Sequence, residues 1–492
     1  MGTIQKQGLI NALIIYFGVA LGFFNQIVVQ PHMLTTDEIG LWRVMINFAA
    51  LLTTFLLLGA SSTSIKYFAS FRDQKSGHHG FLGLILLISC IGIFIGGCIF
   101  YSISDWIIHK YEAESPQFVD YFYWEFPLAV VMTLTICLNS YSSSLLKTTF
   151  PSFLDAVLVR IFLLSFTFIY FFKLISFNFF IASIFFSYLC QLLILCIFIY
   201  RIDKPSLRID WSFFRKAGGS SIIRFSLLMA LTGFSSVSLK FLDSVMIAAY
   251  LPLKLVGIYA VGAFIAVFIE TPLNSLERIA GVKIAHGFEA KNMNEIKEIY
   301  YRSVRVLFLV GGFLAVCVIT NIHDFLRLLP LDFMQVASVT IIISIGSIIN
   351  MATGVNSPII INSVYYKWNI VFLFVLLIST ITLNLLLIPL YGMEGAAIGT
   401  GLASTVYNLI KFLFIWNKFG LQPYDIQSLK TLLVIILAFL SAFFIPVPVN
   451  PWMAMAERGL IIALVFSGLT YSLKIIPEYN HLLSGQFLRR KK

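Results

Sequence analysis

Apolar residues fill this chain in runs of about 20 positions, each long enough to cross a hydrocarbon core of about 30 Å as a helix. The runs start near residues 8, 41, 81, 124, 154, 178, 222, 257, 304, 334, 368, 394, 429 and 456. They are continuous rather than alternating, which predicts helices instead of a membrane β-barrel. The pattern therefore predicts an all-α polytopic membrane protein with about fourteen transmembrane helices. The division between the fifth and sixth runs is a short loop around Lys173.

Composition agrees: 59% of the residues are hydrophobic and 12% charged, against about 25% charged in soluble domains. The net charge of +11 would suit a nucleic-acid partner, but its distribution argues for a membrane. With the N-terminus inside, alternate loops collect 24 of the 34 Lys and Arg, including Lys66, Arg72, Lys75, Arg201 to Lys216 and the tail Arg489 to Lys492. That bias predicts both termini in the cytoplasm. No aromatic-basic interleaving or nucleic-acid module accompanies it. The first run lacks a small-residue cleavage site, and MGTIQK lacks the hydroxyl residue of a myristoylation motif.

Other chemistry is sparse. The six cysteines, Cys90, Cys98, Cys137, Cys190, Cys196 and Cys317, fall in predicted spans without metal-ligand spacing and read as small apolar packers. The pair His78-His79 reads as a solvated loop feature. Neither a metal nor another cofactor is implied, and no GxxxxGK[ST] element occurs. The loops are too short for a nucleotide-binding domain.

An internal repeat is visible at an offset of 217. The stretch EIGLWRVMI (Glu38 to Ile46) matches LVGIYAVGA (Leu255 to Ala263), with Gly40 on Gly257, Trp42 on Tyr259 and Val44 on Val261. Six spans separate the copies, so the halves point the same way, related by an axis along the membrane normal. The expected organisation is a first lobe over 1–200, a basic cytoplasmic linker over 201–221 and a second lobe over 222–416. Two further spans and a basic tail occupy 417–492.

Three segments carry a resemblance. Ile381 to Ser404, ITLNLLLIPLYGMEGAAIGTGLAS, resembles the late-span motif of polysaccharide exporters and O-antigen-type flippases of the multidrug/oligosaccharidyl-lipid/polysaccharide superfamily. DSVMIAAYLPLKLVGIYAVGAFIA is similar to their seventh and eighth spans, and EIGLWRVMINFAALLTTFLLLGASSTSIKYFAS to their second. The resemblance covers about 400 residues, in both halves. It implies a non-enzymatic flippase of the bacterial cytoplasmic membrane. The implied substrate is a polyprenyl-diphosphate-linked oligosaccharide for cell-surface polysaccharide, and the implied mechanism alternating access. Membrane lipids, H⁺ or Na⁺ and other polysaccharide assembly proteins are the partners it brings into view. The alternatives are an ion-coupled multidrug exporter of the same superfamily and, less so, a glycan polymerase or glycosyltransferase, for which no large catalytic loop is found. Independently of the resemblance, Pro389, Tyr391 and Gly392 predict an external turn. Gly395, Ala396, Ala397 and Gly399 predict close helix packing.

Charges inside spans are the candidate site, because such residues are costly in lipid and mark pathways. Lys240 and Asp243 share a face of the seventh span, and Glu270 lies near the midplane of the eighth. Lys240 either lines a hydrated cavity and binds an anionic headgroup, or is neutralised by Asp243 or Glu270, which otherwise serve in ion coupling. Arg224 and Arg160 are further candidates for the diphosphate, Arg224 alternatively snorkelling to headgroups. Arg43 and Glu125 read as interfacial. Pro272 is the candidate hinge.

Overall fold

The computed structural model describes residues 3–443 and 449–475; the basic tail lies outside them. Described residues are helical throughout, and eleven helices are long and apolar enough to cross a membrane. A bent pair, Gly219–Ser235 with Lys240–Tyr250, makes twelve. The expected count of fourteen is not reached on this measure, for identifiable reasons. Two expected spans form one 53-residue helix, Lys367–Phe419, about 80 Å if straight and far beyond a bilayer's thickness. It breaks at Gly392, whose φ of +64° and ψ of −141° are not helical, where the sequence predicts the turn. A further expected span is the shorter helix Ile426–Phe443.

Past that break the chain folds back on itself. Gly395 lies against the Leu387 carbonyl, and a β-carbon on Gly399 would stand 3.3 Å from the Asn384 backbone nitrogen. Pairing of 395 with 387 and 399 with 384 is antiparallel. These glycines therefore permit backbone approach, the source of association where lipid removes a hydrophobic drive.

The chain divides into two compact units, Met1–Gly257 and Ile258–Lys492. In the first, the stretch expected as one second span is broken. Helix Thr36–Leu56 stops, and Ala60–Phe71 restarts after Gly59 at φ +76°. Gly59 sits against the Ser226 carbonyl, and the Ser226 hydroxyl donates to the Leu58 carbonyl at 2.7 Å. Thr35 and Glu38 close a capping box at the start of Thr36–Leu56. The core gathers Phe68, Phe71, Phe81 and Tyr141.

The histidine pair is not solvated. His78 is buried; its Nε2 is 2.9 Å from Asp203 Oδ1, and the Tyr141 hydroxyl donates to Asp203 Oδ2 at 2.5 Å. His79 stacks on Phe213 with ring centroids 3.8 Å apart and pairs with Asp210 at 3.3 Å. Gly77, Gly80 and Gly83 let residues 206–209 pass directly over the loop. The basic segment after helix Phe177–Ile202 is thus a strap held to the first unit.

In the same unit the repeat-equivalent glycines meet. A β-carbon on Gly40 would collide with the Leu253 carbonyl, and one on Gly257 with the Thr36 carbonyl. Exchanging the two copies, 36 with 253 and 40 with 257, reproduces the contact. The second unit is built on Tyr300, Met351, Ile359 and Ile415, with an outer cluster of Val434, Ile462 and Phe466. Arg305 pairs with Asp425, and Asp324 takes Arg458 and Arg327.

Two outcomes test this packing. Gly40→Ala and Gly257→Ala should each cost about 1–3 kcal/mol by overpacking, read as a lowered melting temperature in detergent, whereas Gly468→Ala, with open space around it, should not. The Ser212 hydroxyl, then the Phe213 amide and His79, hold the Asp210 carboxyl down to about 2 from 3.8. A depressed carboxyl stabilises the fold above its unfolded value and loses that contribution as pH falls through the folded one. Protease cleavage of the strap should therefore rise between about pH 4 and pH 2, and Asp210→Ala should make it fast at neutral pH.

Candidate functional site

Three polar groupings interrupt the apolar helices. In the first unit, two π-helical segments, Phe24–Val29 and Leu154–Leu158, carry Asn25, Gln26 and Asp155. Such segments widen a helix by one residue per turn and recur at functional sites. Gly18 of the first helix lies on Ala156, and Gly22 leaves room for the Arg160 guanidinium, 3.4 Å from where its β-carbon would be. Tyr188 lies within electrostatic reach of Asp155, Arg160 and Arg43, and the Gln191 amide donates to Asp155 at 3.4 Å.

This grouping has unmet hydrogen-bonding capacity. Arg43 Nε and Arg160 Nη1 are enclosed donors without an acceptor, and the amide oxygens of Asn25, Gln26, Gln30 and Gln191 lack donors. Arg43 is therefore not interfacial: its Nε is buried in the bundle. Glu125, also expected at an interface, is fully buried. Helix Thr36–Leu56 starts seven residues before Arg43, earlier than the apolar run predicts, whereas Glu125 does open its helix but is covered there.

The seventh expected span bends by 58° between Ser235 and Lys240. Gly233 lies near the bend, and the Thr232 and Ser235 hydroxyls bond back to the carbonyls of Met229 and Leu231, which loosens a helix. Lys240 opens the segment after the bend and is exposed; Asp243, three residues on, is buried. Arg224, before the bend, is exposed.

The second unit holds a charge centre that the loop-by-loop count missed. Lys411, one of the 24 cations that the charge pattern assigns to the cytoplasmic side, is 1% exposed. Its Nζ donates to Ser357 Oγ at 2.6 Å and stands 4.4 Å from the Tyr407 ring centroid. Glu277 is within electrostatic reach and approaches the same serine. Glu270, two turns earlier on helix Leu253–Glu289, is half-buried and within reach of Glu277, with Pro272 inside the helix between them. Asn408, one turn before Lys411, donates to Asn350 at 2.9 Å and accepts from Asn356 at 3.3 Å. These asparagines bond helix to helix. The legible signal was LIKFLFIW, a lysine inside an apolar run.

No protein-family model matches the chain, and no curated protein is similar to it. Solved structures do match. A structure titled lipid II flippase MurJ, inward closed conformation, aligns over 95% of this chain and 100% of its own, with TM-score 0.73 and 16% identity. An inward-facing multidrug resistance MATE transporter of the MOP superfamily aligns over 82% and 96%, with TM-score 0.60 and 15% identity. A MOP superfamily transporter from Pyrococcus furiosus aligns over 84% and 95%, with TM-score 0.54 and 14% identity. The chain is a multi-pass membrane protein with the fold these structures share, as its motifs suggest.

The second-unit centre makes a testable statement. Lys411→Met or Glu277→Gln alone leaves a buried charge without its partner and should cost about 3–5 kcal/mol. The double variant should recover most of this, read as melting temperature in detergent; equal losses in all three would disprove the pairing.

Proposed function

We propose that this chain is a flippase that moves a polyprenyl-diphosphate-linked oligosaccharide across the bacterial cytoplasmic membrane by alternating access. The carrying observation is two guanidinium groups, Arg43 and Arg160, each with one enclosed donor nitrogen lacking an acceptor. A diphosphate supplies such acceptors, and charge-assisted bonds in a low-dielectric site are strong. The surrounding amides of Asn25, Gln26, Gln30 and Gln191 suit hydroxyl-rich sugars. The fold supports the reading, since it is shared with a structure titled as a lipid II flippase.

In this reading Arg160 binds phosphate with Arg43, and exposed Lys240 and Arg224 contact the anionic group as it arrives and leaves. Asp243 and Glu270 are charge partners or ion-coupling groups, and Pro272 is the hinge of its helix. Both termini face the cytoplasm, in keeping with the loop charges.

Depletion of the protein should accumulate the glycolipid on the inner leaflet. Normal surface glycan combined with new drug sensitivity would instead establish a multidrug exporter, the function named for a second structure of this fold. Arg160→Ala should lower export about tenfold or more, the worth of one charge-assisted bond, with unchanged melting temperature. Lys240→Ala should lose export and Lys240→Arg keep part of it; full export by Lys240→Ala would remove that residue from the site.

A further inference from the structure

Among the carboxyl groups within the helix bundles, Glu277 and Glu125 differ in what stands beside them. Glu277 has the Lys411 ammonium. Glu125 has no cation beside it among the described residues. It opens helix Glu125–Ser144, directly after the 3-10 turn Phe122–Trp124, and is 0% exposed. Neither carboxyl oxygen has a hydrogen-bond partner. The Ala49 backbone amide is within electrostatic reach but forms no well-aligned bond to it.

The groups on every packed element deepen this isolation. Tyr111 is in electrostatic contact, but its hydroxyl donates to the Val245 carbonyl at 2.9 Å. On helix Thr36–Leu56, Asp37 and Glu38 belong to the first turn, and Arg43, six residues before Ala49, faces Tyr188 of helix Phe177–Ile202. That helix otherwise carries Arg201 at its end. On Ala60–Phe71, Lys66 lies over the Phe225 ring at 3.8 Å. Asp105, His109, Lys110 and Glu112 of Phe81–Glu112, and Asp120, are exposed. Its sequence neighbours Phe118, Phe122, Leu128 and Ala129 are all buried.

We propose that Glu125 is a proton-binding site: its carboxyl carries a proton in this conformation and releases it when helices Thr36–Leu56 and Glu125–Ser144 part to admit water. A buried ionised carboxylate with neither a cation nor a well-aligned donor is strongly disfavoured, so burial and proton occupancy are one event. On release the Oε–H bond breaks, its electron pair stays on the carboxylate, and the proton leaves on water. Glu277 needs no such proton, because Lys411 compensates it. If parting these helices belongs to the transport cycle, each cycle moves a proton; this step rests on the flippase reading.

Infrared spectra of the full-length protein in neutral buffer test the site itself. The carbonyl band of an un-ionised carboxylic acid should be present in the wild type, absent in Glu125→Gln and retained in Glu277→Gln. No such band in the wild type, or the same band in Glu125→Gln, overturns the proposal. Glu125→Met, which fills the same buried position, serves if the glutamine variant does not fold. Glycan export tests the coupling: Glu125→Gln mimics the neutral acid and should fall at least tenfold at wild-type melting temperature, whereas full export overturns a coupling role. If the wild type exports no glycan, the flippase reading fails while the infrared result still decides the proton site.

Discussion

A charge inside a membrane bundle must be compensated, neutralised or given a ligand, and this constraint explains where the protein's chemistry sits. Lys411 satisfies it with Glu277, a serine hydroxyl and an aromatic face. Asp203 satisfies it at the bundle's edge with His78 and Tyr141. Arg43 and Arg160 satisfy it incompletely, and incomplete satisfaction is what a binding site looks like before its ligand arrives. The apolar remainder of each unit is packing around these groups.

The helices were legible because period and length suffice for a span. The turn at Gly392 was legible too, since proline, tyrosine and glycine at the end of an apolar run leave few conformations. Legibility failed at span ends. Glu125 and Arg43 sit near the edges of hydropathy windows, and a window edge blurs by about half a turn or more, enough to turn a buried group into an interfacial one. Lys411 was lost the same way, counted with loop cations although its neighbours are Ile, Phe and Leu. The histidine pair failed for another cause: its partners, Asp203 and Asp210, are more than 120 residues away in sequence, and no local pattern announces them.

The candidate charges of the seventh span also gained context. A sequence reading sees Lys240 and Asp243 as two charges on one face. The bend after Ser235 places them at the start of a short helical segment, with one exposed and the other buried. Residues at a break in a helix can change partners without unwinding a long span, and glycine with back-bonded hydroxyls supplies that break cheaply.

The crossing of Gly40 and Gly257 shows what a duplicated chain keeps and what it lets drift. Gly40 rests on the Leu253 carbonyl and Gly257 on the Thr36 carbonyl, so neither could acquire a side chain without the opposite helix yielding. At the same offset, Phe23 and Gln26 stand where the second copy has Lys240 and Asp243. Shape at the crossing is a shared inheritance, bound to both copies at once. Charge was free to be written into one copy alone, and so a protein built from two like halves came to hold two unlike chemistries.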